Sequence, residues 1–408
     1  MFAAVAHTPA AQSLRRRVEA GGAWSCEGVS GSAQPFFAVL LRHLFPERPL
    51  VVVTAGLRTQ ESFHQDIETW RRVDLENLKP QTSNLKSLFY PAWETLPHEA
   101  KLPHADVISE RLETLVALSA WAGAKSETRN AHPPLIVTSV AALLQRTFRP
   151  ETVGERTRRL AKGDHFDPLD LVEWLEDQGY EPEAQVNNKG EIALRGGIVD
   201  VFPLTSPWPV RLEFFGDELE SLRYFDPVSQ MSKEEIAAVT IPPGGELGLL
   251  KKAVAAAAPP ALATLLDYLP RETLFVLCEP EALAEHAASY EELVPEGDPF
   301  FIPWTEFQEK LSAAGITAIS LAEATSADTP HSALRTLQFG SLDAFRPIVE
   351  RAPDPQVAEA QRREFFAQLH RWSRQGHAVH LFCNNDGERE RLGEIWREYG
   401  VGEGGSNQ

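Results

Sequence analysis

Residues 27–45 read "EGVSGSAQPFFAVLLRHLF", and the reading of this stretch decides the fold. Glycines and small residues lead into an apolar run with helical spacing. That is the outline of a phosphate-binding loop between a strand and a helix. A working loop, G-x-x-x-x-G-K-[ST], ends in a glycine that lets backbone N–H groups wrap a phosphate. A lysine then reaches the β/γ-phosphates and a hydroxyl holds Mg²⁺. Counted from Gly28 and passing through Gly31, those positions hold Ala33, Gln34 and Pro35. Each lost charge-assisted contact removes about 1.5–3 kcal/mol, and Pro35 also removes a donor while suiting a first helical turn. No acidic strand end of the Walker-B kind stands out. The stretch predicts a nucleotide-type α/β domain with a degenerate, inactive loop and no cofactor.

The surroundings agree with an α/β class. "PLVVVTAG" (49–56) suits a buried parallel strand, and 58–72 and 108–123 read as helices around a proline- and aromatic-rich loop, 87–107. The breaker-rich run 125–134 is the first candidate boundary. After it, "LIVTSVAALLQRTF" (135–148) opens a second unit as strand and helix. "DPLDLVEWLEDQGY" (167–180) is a helix with Asp167 as cap, Pro168 in the first turn and Gly179 as terminator. Strands follow at 191–195 and 197–203, then a hairpin, 210–225, around "GDE". A Gly/Pro/Ala stretch, 242–261, is a linker whose Ala run can be helical. Strand, turn and helix return at 272–294, and 326–336 is a further boundary. A helix (354–376), a strand (378–383), a second helix (388–400) and a tail (401–408) complete the chain.

The chain has 408 residues, 43% hydrophobic and 24% charged, enough for several cores. Its net charge of −19 argues against non-specific duplex binding by the chain as a whole. Three separated cysteines, Cys26, Cys278 and Cys383, give neither a zinc signature nor a disulfide framework, which fits a reducing, cytoplasmic setting. No signal peptide or membrane-spanning run is read.

Apparent metal or hydrolytic clusters have simpler readings. His98, Glu99, His104 and Asp106 lie in a proline-broken loop without helical register, so no metal is expected. Asp217 belongs to a hairpin turn, and Glu213 alternates with Leu212 and Phe214 as a solvent-facing strand position. With Asp200 they make no expected active site, so no catalytic residue is assigned. "GEIALRGGIVDVFP" (190–203) carries more. Strand alternation puts Ile192 and Leu194 on a core face and Arg195 on the outer one. Gly196 and Gly197 then allow a bulge or sharp bend. Arg156, Arg158, Arg159 and Lys162 make a locally basic unit nearby, and Phe202 reads as core.

Three blocks, 90–115, 179–203 and 211–232, resemble the N-terminal part of transcription-repair coupling factors, the Mfd family, itself similar to the excision-repair protein UvrB. Weaker similarity continues to the end of the chain. The resemblance implies a helicase-like α/β domain with a degenerate P-loop, split by an inserted α+β UvrB-interaction domain and followed by a small α/β domain. The expected ranges are 1–122 for the first part, 123–205 for the insertion, 206–325 for the return and 326–408 for the last, truncated domain. It implies UvrA as partner, with Arg195 foremost and Arg156, Arg158 and Arg159 behind it. It also implies RNA polymerase and duplex DNA as partners of domains that this sequence does not contain, as in a fragment or a truncated gene product. The alternatives are a helicase-like ATPase and a UvrB-like DNA-binding repair protein. The loop near Tyr90 lacks the long aromatic insertion that would grip DNA.

Overall fold

The computed structural model describes residues 2–75, 87–123, 133–256, 260–323, 355–377, 379, 381 and 383–398. Its strands are β1 (Ala23–Glu27), β2 (Leu50–Thr54), β3 (Leu88–Tyr90), β4 (Leu135–Ser139), β5 (Arg158–Ala161), β6 (Glu181–Pro182) and β7 (Glu191–Arg195). There follow β8 (Ile198–Val201), β9 (Val210–Phe215), β10 (Glu218–Phe225), β11 (Ser232–Glu235), β12 (Ala238–Ile241), β13 (Leu274–Cys278) and β14 (Thr317–Ala322). One sheet is wholly parallel, in the order β1-β14-β13-β2-β4-β3. Its central strands are unbroken apolar runs because helices cover both faces. Val52, Val137, Val276 and Ile319 face the helices Pro9–Glu19, Gln34–Leu44 and Leu57–Leu75. Val51, Val53, Ile136 and Phe275 face Ala105–Gly123, Pro280–Glu291 and Trp304–Ala313.

Between β4 and β13 the chain builds a second sheet, β11-β10-β9-β8-β7-β6, antiparallel except for β6 with β7. The helix Pro168–Asp177 covers one face, with Leu171 and Leu175 packed among Ile192, Val199, Leu212 and Leu222. Its cap is as expected: the Asp167 side chain accepts from the Leu169 N–H at 2.8 Å, and Gly179 leaves the helix at φ +89°. The antiparallel pair β5–β12 closes the same core through Leu160, Val239 and Ile241.

The sheets correct the expected range of the insertion, 123–205, at both ends. β4 lies between β2 and β3, so 135–139 belongs to the first sheet. The hairpin β9–β10 belongs to the second, because its apolar face has only the Pro168–Asp177 core to enter. The strands of the inserted unit thus run from β5 to β12, and the breaker-rich 125–134 falls between the helix Ala105–Gly123 and β4, both of the first unit. Toward the end, the helices Pro355–Arg374 and Asp386–Glu398 meet through Phe366 and Trp396, with ring centroids 5.7 Å apart. Asn384 ties this pair to the helix Leu57–Leu75 by bonds to Asp66 (3.0 Å) and Thr69 (2.7 Å). The boundary at 326–336, residues 378, 380 and 382 of the expected strand, and the tail lie outside the described residues.

The two units are locked by a buried ion pair. Arg111, on the helix Ala105–Gly123, and Glu246, where the chain leaves the inserted unit, expose no side-chain surface. Arg111 Nε donates to Glu246 Oε2 at 2.7 Å and Nη2 to Oε1 at 3.0 Å. The remaining donors meet Pro91 O, Gln145 Oε1 and the Tyr90 hydroxyl. Glu246 also accepts from Trp93 Nε1 and Thr147 Oγ1. Burial opposes the guanidinium charge, yet Glu246 and Tyr90 hold its pKa above the ordinary arginine value.

Removing one partner strands a buried charge, so Arg111→Met is expected to cost about 3–5 kcal/mol of stability. Arg111→Met with Glu246→Met together is expected to recover part of it; urea denaturation midpoints check both. The thiols give a second expectation. Cys26 and Cys278 are buried, and burial pushes Cys26 up to about 12 and Cys278 higher still. In the native chain a disulfide reagent at neutral pH should titrate Cys383 quickly and the other two only after unfolding.

Candidate functional site

The degenerate loop joins β1 to the helix Gln34–Leu44. Gly28 turns the chain at φ +75°, 31–33 form a single 3₁₀ turn, and Pro35 sits in the first helical turn as expected. What fills the loop was not legible in the sequence. Gln34, at the lysine position, is fully buried. Its Nε2 donates to Val29 O at 3.1 Å and to the Glu279 carboxylate. Gly31 N–H donates to Glu323 Oε2 at 3.2 Å, and Glu323 N–H donates to Glu279 Oε1 at 3.0 Å. Glu279 follows β13 and Glu323 follows β14, so two carboxylates from strand ends occupy donors that a working loop aims at phosphate. An acidic strand end does stand beside the loop, contrary to expectation, and its carboxylate bonds the Gln34 amide. Ala33 closes the 3₁₀ turn with N–H to Ser30 O at 2.8 Å.

The second candidate is the open face of the inserted sheet, opposite the Pro168–Asp177 helix. Arg211 on β9 grips the buried Asp200 of β8 with two bonds of 2.8 Å and lies 4.7 Å over the Phe225 ring. The bonds to Asp200 hold its pKa above the ordinary value despite burial. Glu213 is half-buried and accepts from Ser221 Oγ at 2.6 Å and Arg223 Nη2 at 3.0 Å. Asp217 lies in the exposed turn, 3.5 Å from His165. Asp200 and Glu213 are therefore ion-pair partners on the sheet, and Asp217 stands apart from them in the turn. Arg211 and Arg223 were missed, although their alternation with Leu212 and Leu222 carried the signal.

Arg195 is at the end of β7, exposed, with Nε and Nη2 on Ala184 O at 3.2 and 2.6 Å. Ile192 enters the core, but Leu194 is 39% exposed: the strand outruns its helical cover there. Gly196, at φ +62°, and Gly197 make a tight two-residue turn into β8, and a Cβ on Gly197 would stand 3.0 Å from Phe214 O. Phe202 is buried with Ala193 and Phe225.

The other arginines do not join Arg195. Arg156 bonds Gln178 Oε1 at 2.9 Å, at the C-terminal end of the covering helix. That end abuts β6 and the start of β7, whereas Arg195 lies at the end of β7. Arg158 stacks 4.4 Å over Trp174, and Arg159 is exposed on β5 opposite Thr240. His104 lies 3.5 Å from Asp106. Among the described residues no group of three or more His, Cys, Asp or Glu could hold a metal, and no helix is long and apolar enough to cross a membrane.

Fold and site thus define a parallel α/β scaffold that carries an inserted, charged β-sheet, with the loop after β1 bonded by the chain's own carboxylates. Residues 159–246 match the UvrB interaction domain, which spans β5 to β12 and includes Glu246. The chain is 29% identical over 246 residues to the transcription-repair-coupling factor of Haemophilus influenzae, covering 51% of this chain and 21% of that protein. It is 27% identical over 338 residues to that of Escherichia coli, covering 80% and 26%, and 30% identical over 224 residues to that of Bacillus subtilis, covering 54% and 17%. The chain therefore spans about a quarter or less of these relatives.

The closed loop makes a prediction. In Gln34→Lys the ammonium meets the Glu279 carboxylate, and the Gly31 donor stays on Glu323. Titration calorimetry should detect no Mg²⁺-dependent ATP binding by this variant, as for the wild type; micromolar binding would contradict this account of the loop.

Proposed function

We propose that this chain is a non-catalytic, UvrB-like module that recruits UvrA during nucleotide excision repair of the transcribed strand. The α/β domain is the scaffold, and the inserted sheet is the docking element. The observation that carries this reading is the correspondence of residues 159–246 to a UvrB interaction domain, together with the exposed guanidinium of Arg195 at the edge of its open face. RNA polymerase and duplex DNA are partners for the remainder of a coupling factor. The carboxylate-filled loop supports a binding role over ATP hydrolysis, and the acidic chain favours a protein partner over nucleic acid.

Arginine pairs a partner carboxylate through two parallel bonds. Arg195 gives two of its five donors to a neutral carbonyl and keeps the rest for such a pairing. Arg195→Ala is expected to weaken UvrA binding by about 2 kcal/mol or more, roughly thirtyfold. Arg195→Lys should recover part of it, and the thermal midpoint should stay put because the side chain is exposed. Unchanged affinity removes Arg195 from the contact. A collapsed midpoint makes it structural.

A further inference from the structure

We propose that a cleft beside Arg146, on the α/β scaffold, binds a small amphipathic anion: an apolar body that carries one carboxylate or sulfonate. The cleft has a volume of about 820 Å³, with Val254, Leu262, Val294 and Phe301 among its walls. Small-molecule sites occupy about 300–1,000 Å³, whereas a protein partner needs a broad face of about 800 Å² a side. Pro295, Pro299 and Pro303 fix the backbone of one wall. Phe301 stands against Tyr290, ring centroids 5.9 Å apart, so that wall is in place for a flat ring.

The backbone aims Arg146 into this cleft. Residues 145–147 run between two bridges, Gln145 with Phe301 and Thr147 with Ala263. The Arg146 N–H donates to Phe300 O at 2.8 Å and the Thr147 N–H to Ala263 O at 2.7 Å. Gln145 and Thr147 turn their side chains inward, to Arg111 and Glu246, so alternation sends Arg146 the other way. Among the described residues its guanidinium makes no hydrogen bond. Nε is buried without an acceptor. Nη2 lies 3.9 Å from Glu306 Oε1, an oxygen that Lys310 Nζ already holds at 2.8 Å. The cleft's own carboxylates do not decide its ligand. Glu291 and Glu296 are exposed and solvated, and Asp298 accepts from the Phe300 N–H at 2.8 Å. Exposed charges need no partner, but a half-buried guanidinium with unmet donors gains from one. An apolar body against Leu262 and Phe301, with its anionic group on the Nη atoms, satisfies both parts of the cleft.

The test uses the full chain and the fluorescent anion anilinonaphthalenesulfonate, with naphthoate and its neutral amide as competitors and denaturation midpoints alongside. The wild-type chain is expected to bind the sulfonate at a saturable site, from which naphthoate displaces it about tenfold more readily than the amide does. Arg146→Gln should weaken sulfonate binding about tenfold or more. Val294→Trp, which fills the cleft, should weaken it at least as much. Both midpoints should stay at the wild-type value, and Arg195→Ala, on the inserted sheet, should bind the sulfonate as wild type does. The proposal is overturned if Arg146→Gln binds within about twofold of wild type, or if the amide competes as well as naphthoate. It is also overturned if the sulfonate binds only where the midpoint has fallen. Should Val294→Trp lower the midpoint, Arg146→Gln decides.

Discussion

The pose of the inserted sheet depends on the buried pair of Arg111 and Glu246. Taking both charges out of water is expensive, and the pair is tolerable only because its hydrogen-bonding capacity is used. Arg111 is held between the Tyr90 and Trp93 rings, 4.3 and 4.6 Å from their centroids, and its donors meet two side chains, a hydroxyl and a carbonyl besides. These partners come from β3 and the loop after it, from the chain after β4, and from the exit of the inserted unit. One guanidinium thereby fixes three segments of the scaffold against the point where the insertion rejoins it. The Lys189 ammonium on Ser109 Oγ, at 3.0 Å, and the Ser109 hydroxyl on Leu204 O hold a second point of the insertion to the same helix. A sheet clamped in this way holds its outer face in one orientation relative to the scaffold.

The clamp also depends on the parallel sheet. The parallel sheet is needed for its helices, because Ala105–Gly123 carries Arg111 and packs on β3. The loop after β1 must then be stable when empty. An anion at a helix N-terminus is favourable, and unsatisfied amides there are costly when buried. Glu323 supplies the anion and Glu279 takes the Gln34 amide, so the joint closes on itself. Each bond contributes about 1 kcal/mol net.

Local rules made much of the fold legible. Continuous apolar strands, the Asp167 cap, the Gly179 terminator and the hairpin around Gly216 each follow from a few neighbouring residues. What failed was non-local. Arg111 and Glu246 are 135 positions apart, and nothing near "SERLE" marks its arginine as buried. Glu279 sits in "CEPEA", where a carboxylate before a proline-started helix reads as an ordinary helix entry. The boundary at 125–134 misled because breaker composition does not say which elements the stretch joins. Leu194 misled for a related reason: alternation assigns a face, but only the neighbouring helix decides how far along the strand that face is covered.

The same distinction between face and cover separates the arginines of the inserted sheet. Arg211 and Arg223 point outward by alternation just as Arg195 does, but each is paired with a carboxylate on an adjacent strand, Asp200 or Glu213. Deleting Arg211 would leave the buried Asp200 without its cation, so its loss would register first in stability. Arg195 is held by the carbonyl of Ala184, which orients the guanidinium without cancelling its charge. Among the described residues Arg195 makes no ion pair with a carboxylate, although the chain carries a net charge of −19. Its field is local, because acidic residues elsewhere are screened beyond about 8–10 Å at physiological salt. On the proposed function, an acidic group on a partner would therefore sense Arg195 only on close approach. On that reading, electrostatics at Arg195 would set register more than rate of encounter.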